Sequence, residues 1–156
     1  MATETYPGKN LPSGALVRLQ PDSRVLVAAG SQEIGTGMYT VMTQVVADLL
    51  GISPSLIDCQ GRHTNYPEAP MSAGSMSTAS VGPAEQQVAI QVRQKLLEMA
   101  ISNSRSPIHG GRPEDADFKD GKIFLKSAPR KGEPCSIFHA TGKRVRELPI
   151  TPDKLI

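Results

Sequence analysis

Two stretches of the chain repeat apolar residues at helical spacing, and each follows a run of small or polar residues. In the first, Val41, Val45, Leu49 and Met42, Val46, Leu50 recur every fourth position, and Gly51 follows as a stop. In the second, Val88, Val92, Leu96 and Met99 mark one face, with Arg93, Lys95 and Glu98 placed away from it. Pro83 suits the first position of that helix. Helices are therefore expected near 38–50 and 83–101. An amphipathic helix must bury its stripe against another layer. The runs Ala15–Gln20 and Arg24–Ala29, separated by the turn signal Pro21-Asp22-Ser23, predict a β-hairpin, and Leu56–Cys59 a further short strand. Phe118–Phe124 reads as a second hairpin near 118–124, because Asp120-Gly121 suits a type I′ turn. Lys126–Glu133 is polar and rich in breakers. The expected fold class is α/β: two amphipathic helices packed on a small mixed sheet, plus that hairpin.

Length and composition narrow the classes. At 156 residues the chain fits one domain, and with 4% aromatic residues and no Trp its core must be built from Val, Leu, Ile, Ala and Met. A formal net charge of +2, with Lys and Arg scattered until Lys143, Arg144 and Arg146, points to no polyanionic partner, and no basic stripe is interleaved with aromatics, so nucleic acid is not expected. No apolar run approaches ~20 residues, so no membrane span is expected. Met1–Asn10 has neither a charged n-region nor an apolar h-region, so no signal peptide of its own is expected. Cys59 and Cys135 form no CxxC pair and read as reduced, small hydrophobes.

The chemistry-bearing candidates lie in the two segments that open the helices. Gly35-Thr36-Gly37 allows close backbone approach, and the helix start behind it favours an anion such as phosphate; an ordinary strand-to-helix turn capped by Thr36 or Thr40 is the competing reading. Met71–Ser80 offers the hydroxyls of Ser72, Ser75, Ser77, Thr78 and Ser80 among small neighbours, a composition suited either to a backbone cradle for phosphate or a polar heterocycle, or to a flexible linker. Long structureless loops in compact domains are usually functional or disordered. His63, His109 and His139 have no companion motif, and Glu33, Asp48 and Glu68 form no recognisable catalytic pair. Arg62 and Arg112 read as solvated loop residues with a capacity for phosphate.

The order of these features resembles one family. A strand leads into Ala29-Gly30-Ser31-Gln32-Glu33-Ile34-Gly35-Thr36-Gly37-Met38-Tyr39-Thr40. Gln44, Ala47-Asp48-Leu49-Leu50-Gly51-Ile52, Thr64 and Pro67 follow, and Ser72-Ala73-Gly74-Ser75 leads to Ser80-Val81-Gly82-Pro83-Ala84. From Gly14 to Ile101 this is similar to the second half of the molybdopterin-binding subunit of xanthine dehydrogenases and aldehyde oxidoreductases. The Gly-Thr-Gly form looks most like the bacterial aldehyde oxidoreductases, whose cofactor is usually molybdopterin cytosine dinucleotide. The resemblance implies cofactor binding by Gly35, Thr36 and Gly37 and by Ser72, Ala73, Gly74, Ser75, Met76 and Ser77. Many relatives carry Gln where Thr36 stands, and Thr is shorter and has no amide. It further implies oxidative hydroxylation of aldehydes or N-heterocycles, iron–sulfur and FAD partner subunits, and a cytoplasmic or periplasmic bacterial location.

Ala140–Thr151 resembles the extreme C-terminus of the same subunit, which in the family lies far from the part resembling Phe118–Pro134. The expectation is an arm at 1–14, a partial molybdopterin-binding domain at 15–134, a C-terminal tail at 135–156, and a missing internal segment between the last two. The family's catalytic glutamate, in a Gly-Val-Gly-Glu motif, has no counterpart here, so no catalytic residue is assigned and the chain is expected to be inactive alone. The alternative is an inactive remnant, or a non-enzymatic α/β domain that binds a partner subunit.

Overall fold

The computed structural model describes residues 11–20 and 22–135. Three short strands, β1 (Leu16–Leu19), β2 (Val25–Ala28) and β3 (Ile57–Gln60), form one mixed sheet in the order β1-β2-β3. β1 pairs antiparallel with β2, with Val17 opposite Val27, and β3 pairs parallel with β2, with Ile57 opposite Val25. A parallel pair requires a long connection, and the helix α1 (Met38–Leu50) supplies it. The hairpin of Val/Leu runs and the strand expected near Leu56–Cys59 are both present, the latter shifted by one residue.

The second helix, α2 (Ser77–Ser102), begins six residues before the expected start, so Pro83 lies inside it. Within a helix a proline forgoes one hydrogen bond and crowds the carbonyl four residues back, here that of Ala79. Burial holds the extra turn in place: Ser80 is 5% and Val81 0% exposed, and Ser80 Oγ accepts the Leu11 N–H at 3.0 Å. Pro83 itself faces solvent.

The competing stripes on α1 are also resolved. Met42, Val46 and Leu50 are buried, whereas Val41 is 38% exposed. On α2 the buried line is Val81, Glu85, Ala89, Leu96 and Ala100, with Val88 and Val92 flanking it. Arg93 does not point away. Its Nη1 donates to the Leu49 carbonyl at 2.6 Å, its Nη2 lies 3.2 Å from Asp117 Oδ1, and its guanidinium sits 4.2 Å from the centre of the Phe118 ring. A long basic side chain can pack its stem and still present its charge, and α1's last carbonyls attract it.

β4 (Ala116–Lys119) and β5 (Lys122–Leu125) form the expected hairpin, with Asp120 and Gly121 at φ +51° and +69° in its turn. A third strand, β6 (Gly132–Pro134), joins β5 antiparallel within the stretch expected to be irregular. The hairpin is thus part of a second three-stranded sheet. Val25, Val27, Val46, Leu50, Ile57 and Ala89 join the first sheet to both helices, and Leu96, Ala100, Ile108, Phe118 and Ile123 join the far half of α2 to the second sheet. Among the described residues no helix is long and apolar enough to cross a membrane. Most of the expected arm and tail, including Ala140–Thr151, lies outside the described residues.

Candidate functional site

Because β2 and β3 run parallel, the segments leaving Ala28 and Gln60 emerge at the same edge of the sheet. In open α/β sheets ligands bind outside the carboxyl ends of such strands. The first segment reaches α1 through Gly35-Thr36-Gly37, and the second reaches α2 through Ser72–Met76. They are tied together: Ser72 Oγ donates to the Gln32 carbonyl at 2.7 Å, and the Gly30 N–H donates to the Pro67 carbonyl at 2.8 Å. The two sets of candidate residues, some forty positions apart in the chain, therefore share one face.

Close packing behind the loops fixes their path. Tyr39 Oη donates to the Ser31 carbonyl at 3.2 Å, and a β-carbon at Gly61 would lie 2.5 Å from that carbonyl oxygen, so only glycine fits there. The next residue, Arg62, adopts φ +63° and its Nη2 donates to the Glu33 carbonyl. The phosphate-capable arginine of the sequence thus lies beside the first loop. Arg112 instead caps the turn Pro113–Asp115 leading into β4.

The first loop is organised by a residue that sequence reasoning passed over. Glu33 Oε1 accepts the N–H groups of Gly35, Thr36 and Gly37 at 2.7, 2.6 and 3.1 Å and the Thr36 hydroxyl at 3.2 Å, and Oε2 accepts the Tyr39 N–H at 3.1 Å. Desolvation raises the carboxyl's pKa, but the backbone N–H groups of Tyr39, Thr36, Gly35 and Gly37 outweigh it and hold the value at about 2. The signal was an acid just ahead of a helix start, where negative charge is favoured. Gly35 and Gly37 take φ +95° and +77°, and Thr36 is exposed.

The second loop is built differently. Gly74 and Ser75 both adopt left-handed conformations, φ +58° and +54°, and turn the chain into α2 at Met76. No side chain caps this helix from Met76, and its first turn carries no acid. Ala73, Gly74 and Ser75 are exposed, while Ser72, Met76 and Ser77 are half-buried. Ser77 and Thr78 belong to the helix, not to the loop as expected. Backbone N–H groups at an uncapped helix start, with hydroxyls beside them, can hold a phosphate or a polar ring edge.

His63 stacks near Tyr66, with ring centres 5.4 Å apart, and His109 Nδ1 lies 2.9 Å from the Ile101 carbonyl; neither ring joins the loops. Cys59 and Cys135 are free, and burial pushes both thiols up to about 12.

A family model described as the molybdopterin cofactor-binding domain matches residues 1–146. The chain belongs to that family. Its relatives include the aldehyde oxidoreductase molybdenum-binding subunit PaoC of Escherichia coli O157:H7, 34% identical over 111 residues, which are 71% of this chain and 14% of that protein. The gamma subunit of the 6-hydroxypseudooxynicotine dehydrogenase complex of Paenarthrobacter nicotinovorans is 29% identical over 116 residues, 74% of this chain and 14% of that one. Quinoline 2-oxidoreductase from Pseudomonas putida 86 superposes with a TM-score of 0.72 at 23% identity, covering 83% of this chain and 16% of its own, which shows a shared fold. This molybdopterin-binding domain therefore spans about 14% of the length of the first two relatives.

Proposed function

We propose that the chain supplies two loops of the cofactor cradle of a molybdenum hydroxylase large subunit. In this reading Gly35, Thr36 and Gly37 line one side of a molybdopterin, in its cytosine dinucleotide form, and Ser72, Ala73, Gly74, Ser75, Met76 and Ser77 line the other. The observation that carries it is the shared edge: both loops leave parallel strands side by side and are joined through Ser72 and Gln32. The donor chemistry fits a phosphorylated heterocycle at the second loop, where Gly74 and Ser75 lead into a helix start with no side-chain cap from Met76. When bound, the cofactor would supply oxygen-transfer and two-electron chemistry for hydroxylating aldehydes or N-heterocycles. This chain's residues bind and orient it, with no general base of their own assigned, and the electrons would pass to iron–sulfur and FAD subunits. Catalysis therefore requires the remainder of a molybdenum subunit.

The test is the molybdenum and pterin content of the full chain purified from a host that makes the cofactor, compared with Ser75→Ala and Gly74→Val variants. Pterin fluorescence and molybdenum in the parent, lowered in both variants, is the expected result. A folded parent with neither metal nor pterin would instead support the second reading, a partner-binding domain. One observation favours that reading: Ile34 and Met71, on the two loops, are 67% and 70% exposed, as apolar side chains awaiting a protein partner would be.

A further inference from the structure

The amides at the start of α1 already hold an anion, and it belongs to the chain. We propose that Glu33 is a positioning residue that shapes the first loop with its own carboxylate and closes those amides to phosphate. The two oxygens take five donors from Gly35, Thr36, Gly37 and Tyr39, which saturates the roughly four lone-pair directions a carboxylate offers. Bringing phosphate to the same amides would set like charges side by side and strip the carboxylate of its partners.

The glycines agree with this assignment. A β-carbon at Gly35 or Gly37 would meet nothing within 4 Å among the described residues. These residues are required by their positive φ, which wraps the backbone around the Glu33 carboxylate, and not by a close neighbour. Arg62 holds the Glu33 carbonyl from the other side, so the residue is fixed at its backbone as well as at its carboxylate. If the two loops flank a cofactor, as proposed above, the first loop meets it with the side chains of Ile34 and Thr36, and phosphate is left to the amides of Ser77 and Thr78 and the hydroxyls of Ser75, Ser77 and Thr78, the Met76 N–H being taken by the Ala73 carbonyl. That last step rests on the cofactor reading; the closure of the first loop does not.

The experiment is a titration of the ¹³C,¹⁵N-labelled full chain with inorganic pyrophosphate, following individual amide signals in the parent and in Glu33→Gln. In the parent, the signals of Gly35, Thr36, Gly37 and Tyr39 are expected to stay in place. In Glu33→Gln, pyrophosphate is expected to move them with an affinity at least about tenfold higher, from loss of one like charge and release of the donors. Movement of these four signals in the parent, at the concentrations that move them in the variant, would overturn the proposal. So would signals that remain fixed in both proteins. The parent titration needs no variant to fold, and the Glu33 carboxyl ¹³C shift checks independently that the group stays ionised and bonded throughout. The signals of Ser75–Thr78 report separately on the cofactor reading: their stillness would count against that reading and leave the result at Glu33 intact.

Discussion

Gly51 sits at φ +60°, and a β-carbon there would lie 2.5 Å from the carbonyl carbon and oxygen of Phe118. Two separate demands meet at one residue, left-handed backbone and absence of a side chain. Gly51→Ala is therefore expected to cost about 2–3 kcal/mol in urea unfolding. Gly51→Asn, which tolerates left-handed backbone, should not recover it, and recovery would show that the clash is relieved by movement of β4. Glu85 is the other residue with a clear expected outcome. It is 1% exposed, neither carboxylate oxygen has a hydrogen-bond partner among the described residues, and desolvation pushes its pKa from 4.5 to about 8. The folded state therefore holds a proton there that the unfolded state releases. Its contribution is fully present below pH 4.5 and is lost as pH rises to about 8, on the order of 1.4 kcal/mol per pH unit crossed. Urea unfolding at pH 5, 7 and 9 should show stability falling in the parent relative to Glu85→Gln; parallel curves would mean that the carboxylate finds a partner.

At the scale of elements, Arg93 joins three of them. It caps the C-terminal carbonyls of α1 at Leu49, pairs with Asp117 on β4 and lies over Phe118. The Asp117 carboxyl is held below its usual value by the Phe118 N–H first and by Arg93 second, with desolvation opposing. With the pair partly open to solvent, its ionic part is worth little, and the stacking and the carbonyl bond carry more. Arg93→Ala should lower stability by about 1–2 kcal/mol. Arg93→Lys keeps the charge but loses the planar fork, and is expected to recover less than half of that loss in the same unfolding assay. At the other end of the helices the two starts differ in kind. That of α1 is approached by the Glu33 carboxylate, which takes the Tyr39 N–H and the amides just ahead of the helix, whereas that of α2 is approached through Gly74 and Ser75 and meets no carboxylate among the described residues. This asymmetry is why the second loop is assigned the phosphate.

Across the whole molecule, α2 is the common wall. Its middle meets the first sheet and α1 through Ala89, and its far half meets the second sheet through Leu96 and Ala100. Leu19 and Val92 pack against both clusters. One cooperative unfolding transition is therefore expected, with far-ultraviolet circular dichroism and tyrosine emission coinciding in urea; separated midpoints would mean that the second sheet melts on its own. Local sequence determined much of this arrangement. The fourfold repeat of apolar residues fixed both helices, Asp120-Gly121 fixed the tight turn, and the Gly and Ser runs marked the two loops. Those features depend on spacing and backbone freedom, which are properties of neighbouring residues. Tertiary structure decided the rest. It chose the Met42–Val46–Leu50 stripe over its neighbour, drew α2 back to Ser77 by burying Ser80 and Val81, and turned Arg93 inward. It recruited β6, whose Glu133 lies opposite Ile123 only because β5 is there to pair with. It also brought Ser72 to Gln32 across forty residues of chain. Each of these depends on groups distant in sequence competing for the same burial or the same hydrogen bond, and that competition is settled only when the strands bring them together.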